Sequence, residues 1–371
     1  MNPILLILDG MSDRAGLMPG RPALSRIAGA GATGFFDTTP GGFSPDSVTC
    51  ILTLLGVPAA QIPRSARAYF EAEAHGIKTA ADDLILRCNL VAAGEDGTLL
   101  SACGAGFGRE ELDRAGEMLA AAWNGRRGVR FYPLGGYKNL LILEGGAGAL
   151  PALRTAPPHQ NGGRPLSELL PAGGRAGTLL SGMAAESRAV LAPFSREGRS
   201  LSAFFWSPSV RCALEPFAER FGLSGRPAAV CATEVVRGMA AALGFDAPEI
   251  SGATADTDTS LSAKARAAVA AAGTAPFVLV HVNGADEAGH RKNPEEKAAF
   301  LSRCGRELVR VLAEETTSPL LICPDHATYS DTGEHGAGPQ PFFLRKEGAA
   351  GFLGTFPGTE AVRLLTGFVE S

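Results

Sequence analysis

The sequence of 371 residues has no run of basic residues and no interleaving of aromatic with basic side chains, and its formal charge is −4 at pH 7. Such a balance gives no general attraction to a phosphate backbone or an anionic lipid face, so neither nucleic acid nor a membrane is expected as a partner. Long apolar runs are lacking too, since no stretch approaches the roughly 20 residues that span a bilayer. The opening run Ile4-Leu5-Leu6-Ile7-Leu8 is short, has no basic residue ahead of it and ends at Asp9, which does not suit a secretory leader. Seven cysteines, at 50, 88, 103, 212, 231, 304 and 323, form no CxxC pair and are odd in number. That argues against a disulfide framework and against a zinc ribbon. A reduced, soluble, cytoplasmic chain is the expectation. Histidine is scarce as well, with six in all, so any gathering of histidines carries weight.

What is present is an ordinary globular composition, 45% hydrophobic and 19% charged. The length exceeds the roughly 250 to 300 residues at which single cores stop growing, which favours two domains. Three short apolar runs share one form: Ile4-Leu5-Leu6-Ile7-Leu8 before Asp9-Gly10, Phe277-Val278-Leu279-Val280-His281-Val282 before Asn283-Gly284, and Pro319-Leu320-Leu321-Ile322-Cys323 before Pro324-Asp325-His326. Continuous apolar strands without alternation belong to a parallel sheet covered on both faces, and ligands of such sheets gather beyond the carboxyl ends of the strands. Between the runs lie helical patterns, one alanine-rich over 263–272 after Thr259 and Ser260. Another begins with Asn293 as N-cap, Pro294 in the first position and Glu296 at the third, and continues through Leu308, Val311 and Leu312. Strand, helix and strand in this order make a βαβ unit. The stretch 75–205 is broken by Gly and Pro clusters, with candidate strands at 84–90 and 139–143. It reads as a smaller α/β domain inserted into a core formed by 1–74 and 206–371.

Three of the six histidines fall between 290 and 335, close to aspartates. Asp286 and His290 are four apart, so a single helical turn would set both on one face. Alone, that pair reads more readily as a surface turn. Asp325-His326 stands at a strand end, where the bland alternative is an aspartate that caps the next helix. His335 follows a short loop, and Asp9 closes the first strand. Asp9, Asp286, His290, Asp325, His326 and His335 are too many ligands for one tetrahedral ion and suit two ions close together. Carboxylates mixed with imidazoles, without thiolate, favour Mn or Zn, with Mg a further candidate. His281, inside an apolar strand, reads as a core histidine.

Gly41-Gly42-Phe43-Ser44-Pro45-Asp46-Ser47 then runs into an apolar segment closed by Gly56, as at a helix start. Ser47 reads either as the cap of that helix or as a nucleophile at its N-terminus, where the dipole also favours a phosphate. Coordination to metal would activate its hydroxyl, which suggests phosphoryl transfer from a monoester through a phosphoserine.

The stretches ILLILDGMSDR, the Ser47 segment ending LTLLG, LILRCNLV, HVNGADEAGH followed by NPEEK, and PDHATYSDTGEHGAGPQPFFL resemble, in order, the motifs of the cofactor-independent phosphoglycerate mutases of the archaeal type. The resemblance is strong over 1–90 and 226–345 and weak over 91–205. It implies an α/β, alkaline-phosphatase-like core with a mainly parallel sheet covered by helices, and an inserted cap that binds the acid end of the substrate. It also implies that Asp286, His290 and His335 hold one ion, that Asp9, Asp325, His326 and Ser47 hold the other, and that Ser47 is phosphorylated during turnover. Several positions depart from the family pattern. Val48 and Ile51 replace an acid and a histidine near the nucleophile. Leu100-Ser101-Ala102-Cys103-Gly104-Ala105-Gly106 replaces a segment with clustered arginines, and the Asp-rich stretch before the family's Pro-His-Lys becomes Arg154-Thr155-Ala156-Pro157-Pro158-His159-Gln160.

Arg67, Arg87 beside Asn89, Lys138 and Arg237 are then the groups left to meet a small phosphorylated acid. The expected activity is interconversion of 3- and 2-phosphoglycerate. The alternatives are a phosphomonoester or phosphonate hydrolase or phosphotransferase with another substrate, and a retired homologue that binds a metabolite without chemistry. Nothing in the sequence bears on oligomeric state.

Overall fold

The computed structural model describes residues 2–14, 31–196 and 198–367. Two compact units emerge, one of Met1–Arg64 with Ala213–Ser371 and one of Ser65–Cys212, against boundaries of 75 and 205 read from the sequence.

The first unit is built on a seven-stranded sheet. Its order is Gly351–Pro357, Ala32–Asp37, Gln340–Arg345, Leu320–Cys323, Ile4–Leu8, Val278–Val282 and Ala228–Val230. The three apolar runs of the sequence are neighbours in it, with Ile4–Leu8 parallel to both of the others. Gln340–Arg345 runs antiparallel to its two partners, and the sheet is otherwise parallel. All five residues of Ile4–Leu8 and all five of Val278–Val282 are buried, the condition under which a strand need not alternate in polarity.

Alternation of side chains still divides the two faces. Ile4, Leu6 and Leu8 pack with Val278, Val280 and Val282 against the helix Leu261–Thr274 and the segment carrying Phe300, Leu301, Leu308 and Leu312. Alanines 265, 268 and 272 let that first helix approach closely. Ser260 caps it by accepting from the Ala263 N–H at 3.3 Å. The helix Pro294–Cys304 begins as its sequence predicts, with Asn293 Oδ1 accepting from the Glu296 N–H at 3.0 Å and proline in the first turn. It runs through a π turn at Gly305–Val309 into Arg310–Glu315. Leu5 and Ile7 point to the opposite face, and so do the residues two places on from facing positions Ile7 and Cys323, which are Asp9 and Asp325.

The second unit holds an antiparallel sheet. Leu84–Ala93 is its central strand, bonded to Leu99–Ser101, Lys138–Leu143 and Ser200–Ser209, and Val129–Gly135 pairs with Lys138–Leu143. Leu84, Leu86, Cys88 and Leu90 point toward the helices Arg109–Trp123 and Gly174–Val190. Ile85, Arg87, Asn89 and Val91 therefore share the other face. No helix among the described residues is long and apolar enough to cross a membrane.

Candidate active site

The carboxyl ends of three neighbouring strands deliver five of the six groups that the sequence singles out. Asp9 follows Ile4–Leu8, Asp325 and His326 follow Leu320–Cys323, and the short helix Gly284–His290 follows Val278–Val282 and carries Asp286 and His290 one turn apart. His335 lies on the bridge His335–Gly336, paired with Ala327–Thr328. Two groups result, Asp286 with His290 and His335, and Asp9 with Asp325 and His326, and in each the candidate ligand atoms lie within 4.8 Å of one another. The second group is wholly buried, whereas His290 is exposed and His335 half-buried.

Hydrogen bonding divides each carboxylate of the buried group into a held oxygen and an open one. Asp325 Oδ1 accepts from the backbone N–H groups of Gly10 (3.3 Å) and His326 (2.9 Å), while its Oδ2 is buried with no hydrogen-bond partner among the described residues. Asp9 Oδ2 faces His281 Nε2 at 3.1 Å, while Asp9 Oδ1 is likewise buried and unpartnered. His326 Nε2 lies 3.3 Å from Asp325 Oδ2 and 3.6 Å from Asp9 Oδ1, so a nitrogen and both open oxygens converge. Gly10 makes this packing possible: its φ is +64° and a Cβ there would sit 2.6 Å from the Asp286 Cα.

The other group is oriented in the same manner. Thr328 Oγ1 donates to Asp286 Oδ1 at 2.5 Å. His290 Nδ1 donates to the Gly333 carbonyl at 2.7 Å and His335 Nδ1 to the Pro45 carbonyl at 2.8 Å. A carbonyl only accepts, so both Nδ1 atoms carry hydrogen and a neutral ring keeps its lone pair on Nε2. These two Nε2 atoms stand 3.0 Å apart. Two lone pairs so close need a positive centre beside them, either a cation or a proton on one ring. Oxygen and nitrogen donors without thiolate, oriented by partners on their far side, fit a divalent ion in each group.

Protons compete with a cation for both groups. Burial raises the Asp9 carboxyl well above its ordinary range, and the negative charges of Asp325 and Asp286 raise it further. Burial also opposes ionisation of Asp286, yet hydrogen bonds with His290 and His335 outweigh it and hold this carboxyl well below the usual range. His290 is raised by its bond to Asp286, whereas burial lowers His326. The His281 ring, fully buried, is pushed down to about 4 by burial.

Ser47 opens the helix Ser47–Leu54, and its Oγ lies 3.3 Å from His326 Nε2. It is not the cap. That role belongs to Asp46, whose Oδ1 accepts from the Thr49 N–H at 3.0 Å and whose Oδ2 accepts from Thr49 Oγ1 at 3.0 Å. An aspartate is an equally good cap, and its use here leaves the serine hydroxyl uncommitted to the helix end. Ile51 is fully buried in the core and Val48 is half-buried.

The cationic candidates divide between the units. Arg87, Asn89 and Lys138 share one face of the antiparallel sheet, because Asn89 is two residues from Arg87 and directly faces Lys138. Arg87 is buried, with Nε 2.8 Å from Glu71 Oε2 and its guanidinium 4.3 Å above the Trp206 ring. Asn89 Oδ1 accepts from Trp206 Nε1 and its Nδ2 donates to the Ala102 carbonyl, each at 2.9 Å. Exposed Arg67 reaches the same Glu71 at 3.5 Å. Arg237 belongs to the first unit, on the helix Glu234–Ala242, and pairs with Glu249 at 3.2 Å.

Sequence reasoning missed the role of three residues that orient the site. His281 holds Asp9 rather than merely filling the core, and Thr328 holds Asp286. Fully buried Lys297 donates to Asp13 Oδ2 (3.1 Å), the Ser12 carbonyl (2.9 Å) and the Thr328 carbonyl (2.6 Å), tying the loop after the first strand to the turn after Asp325-His326. The one signal for it was a lysine on the inward side of the capped helix at Pro294.

Comparison with known proteins bears on family and fold. Residues 28–194 match the family described as 2,3-bisphosphoglycerate-independent phosphoglycerate mutase. The enzyme of that name from Methanosarcina acetivorans is 32% identical across 94% of this chain and 92% of its own length. The one from Methanosarcina mazei is 30% identical across 93% and 90%. Among solved structures, the PH0037 protein of Pyrococcus horikoshii superposes with a TM-score of 0.80 at 21% identity, covering 100% of this chain and 99% of its own. The cofactor-independent phosphoglycerate mutase of Thermoplasma acidophilum superposes with a TM-score of 0.59 at 18% identity, covering 100% of both chains. The chain thus has the fold of these proteins and belongs to the family of 2,3-bisphosphoglycerate-independent phosphoglycerate mutases.

Proposed function

We propose that the first unit is a metal-dependent phosphoryl-transfer centre that works through a phosphoserine on Ser47. Asp286, His290 and His335 would hold one divalent ion and Asp9, Asp325, His326 and Ser47 the other, with Mn or Zn favoured by the donors and Mg a further candidate. Bound there, such ions lower the pKa of a hydroxyl and neutralise phosphoryl oxygens. The observation that carries the reading is the pair of buried, unpartnered oxygens, Asp9 Oδ1 and Asp325 Oδ2, set against His326 Nε2 and the Ser47 hydroxyl. A protein that only bound a metabolite would have no use for acceptors kept open at such cost in burial.

Ser47 Oγ gives up its proton and bonds to phosphorus, the bond from phosphorus to the substrate's ester oxygen breaks, and that oxygen takes up a proton and leaves as a free hydroxyl. The backbone N–H groups of the first helical turn favour the anion that results. Return of the phosphoryl group to the other hydroxyl of the same glycerate gives a mutase. The substrate on this reading is a small phosphorylated acid in the cytoplasm, nominally 3-phosphoglycerate, with product 2-phosphoglycerate. Arg87, Asn89 and Lys138, assisted by Arg67, are the binding groups on the antiparallel sheet, and Arg237 is the cation of the first unit.

A second reading, phosphomonoester hydrolysis, is favoured by two features: Glu71 already neutralises Arg87, and the segment 100–106 carries no cation. Weakly held glycerate would leave before the phosphoryl group returns, and water would take it. Phosphorus NMR of the protein with 3-phosphoglycerate and Mn or Zn separates these outcomes. 2-Phosphoglycerate is expected, abolished by chelation and by Ser47→Ala. Release of inorganic phosphate instead would favour the hydrolase, and full turnover in Ser47→Ala would overturn the nucleophile.

A further inference from the structure

His281 is the one polar side chain of the strand Val278–Val282. It faces Ile7 across the parallel pairing, so its ring lies on the side of the sheet to which Asp9, two residues on, also points. Both residues are fully buried. Nε2 stands 3.1 Å from Asp9 Oδ2, and Nδ1 is buried with no hydrogen-bond partner among the described residues.

As core filling this is a poor choice. A leucine or phenylalanine would occupy the space without leaving a buried nitrogen unpaired. Asp9 as a metal ligand is a carboxylate, whose oxygen accepts, so on that reading the hydrogen sits on Nε2, and Nδ1 finds no acceptor among the described residues that would stabilise a second one. Lys264, itself buried, donates from Nζ to the His281 carbonyl at 3.0 Å and fixes the strand at that residue. The consequence falls on Asp9. Backbone N–H groups hold one oxygen of Asp325, and Thr328 holds one of Asp286, but at Asp9 the bond comes from a ring presented by the neighbouring strand.

We propose that His281 is a positioning residue for the buried metal group: as the neutral Nε2–H tautomer it holds Asp9 Oδ2 and thereby turns Oδ1 toward a divalent cation. This rests on the reading of Asp9 as a metal ligand. Losing the bond frees the carboxylate to rotate and to share its oxygens differently, which weakens that ion and leaves the one at Asp286, His290 and His335 in place.

The test is equilibrium dialysis of the full-length protein against Zn or Mn, with bound metal measured per chain, in wild type, His281→Phe and His281→Gln. Wild type is expected to bind two equivalents. His281→Phe should bind one of them roughly ten- to a hundred-fold more weakly, and His281→Gln, which restores an N–H donor, should recover most of the loss. Two equivalents of wild-type affinity in His281→Phe would overturn the inference while leaving the metal reading intact, whereas a wild type that binds no metal would overturn both. The zinc-loaded wild type, with nitrogen-labelled histidine, gives a reading independent of how the variants fold. A ring resonance protonated on Nε2 and bare on Nδ1, missing from His281→Gln, is expected, and a ring protonated on Nδ1 would contradict the proposal.

Discussion

The two sheets treat their polar residues in opposite ways. On the parallel sheet, acidic and imidazole groups stand just past the strand ends, and Asp9 and Asp325 each have one oxygen tied and the other left open. On the antiparallel sheet the polar groups sit in mid-strand, and Arg87 is tied to Glu71, Trp206 to Asn89 and Asn89 to Ala102. Open atoms under burial are costly unless something binds them, whereas a closed network stabilises the protein by itself. The first region is arranged for a guest and the second is largely arranged for itself. On the proposed function, the parallel sheet carries the chemistry and the antiparallel sheet carries recognition.

The largest effect should come from the parallel sheet. Asp325→Asn keeps the shape but weakens the charge that faces His326, so turnover should fall roughly a thousandfold or more. One metal equivalent should go with it, measured by dialysis, while thermal stability of the metal-free protein changes little or rises. Unchanged metal content would remove the basis of the comparison.

Next comes the antiparallel sheet, where the expected effect is on stability. Arg87→Met strands the buried Glu71 carboxylate without its 2.8 Å partner. Breaking a buried pair in this way costs roughly 3–5 kcal/mol, and adding Glu71→Gln should recover much of it. Urea unfolding of the single and double variants checks this, and both metal equivalents should remain. A stable Arg87→Met protein with a large rise in KM would leave Arg87 its proposed binding role alone, with little structural one.

The smallest effect concerns the support behind the parallel sheet. Burial pushes the Lys264 ammonium from its usual 10.5 down to about 8. Between those two pH values the unfolded chain holds a proton that the folded chain has released, so this residue makes stability rise with pH across that window. The rise is up to about 3 kcal/mol, from about 1.4 kcal/mol per pKa unit. Lys264→Met should flatten that part of the stability profile, and a profile identical to wild type would exclude the shift.

The contrast between the sheets also explains what could be read from the sequence. Parallel strands buried on both faces leave continuous apolar runs, and residues after such runs face the ligand side, so Asp9, Asp286, His290, Asp325, His326 and His335 were legible as one set. Ser47 was legible as a helix start but not as distinct from the cap, because Asp46 and Ser47 are both good caps and only backbone geometry chooses between them. His281 and Thr328 were hidden because their function lies in hydrogen bonds to residues far off in the sequence, which no local spacing encodes. On the antiparallel sheet, Arg87 and Asn89 share a face by simple alternation. Their ties to Glu71 and Trp206 depend on pairing across 16 to more than 100 positions of sequence, as with Asn89 and Trp206, 117 apart.

The central claim is that Ser47 takes the phosphoryl group. Peptide mass spectrometry after rapid acid quenching of the metal-loaded protein with 3-phosphoglycerate tests it most directly. Phosphate on the peptide that contains Ser47, lost after chelation and in Ser47→Ala, is the predicted result. Steady turnover with no phosphate on Ser47 at any quench time, and with full activity in Ser47→Ala, would contradict it.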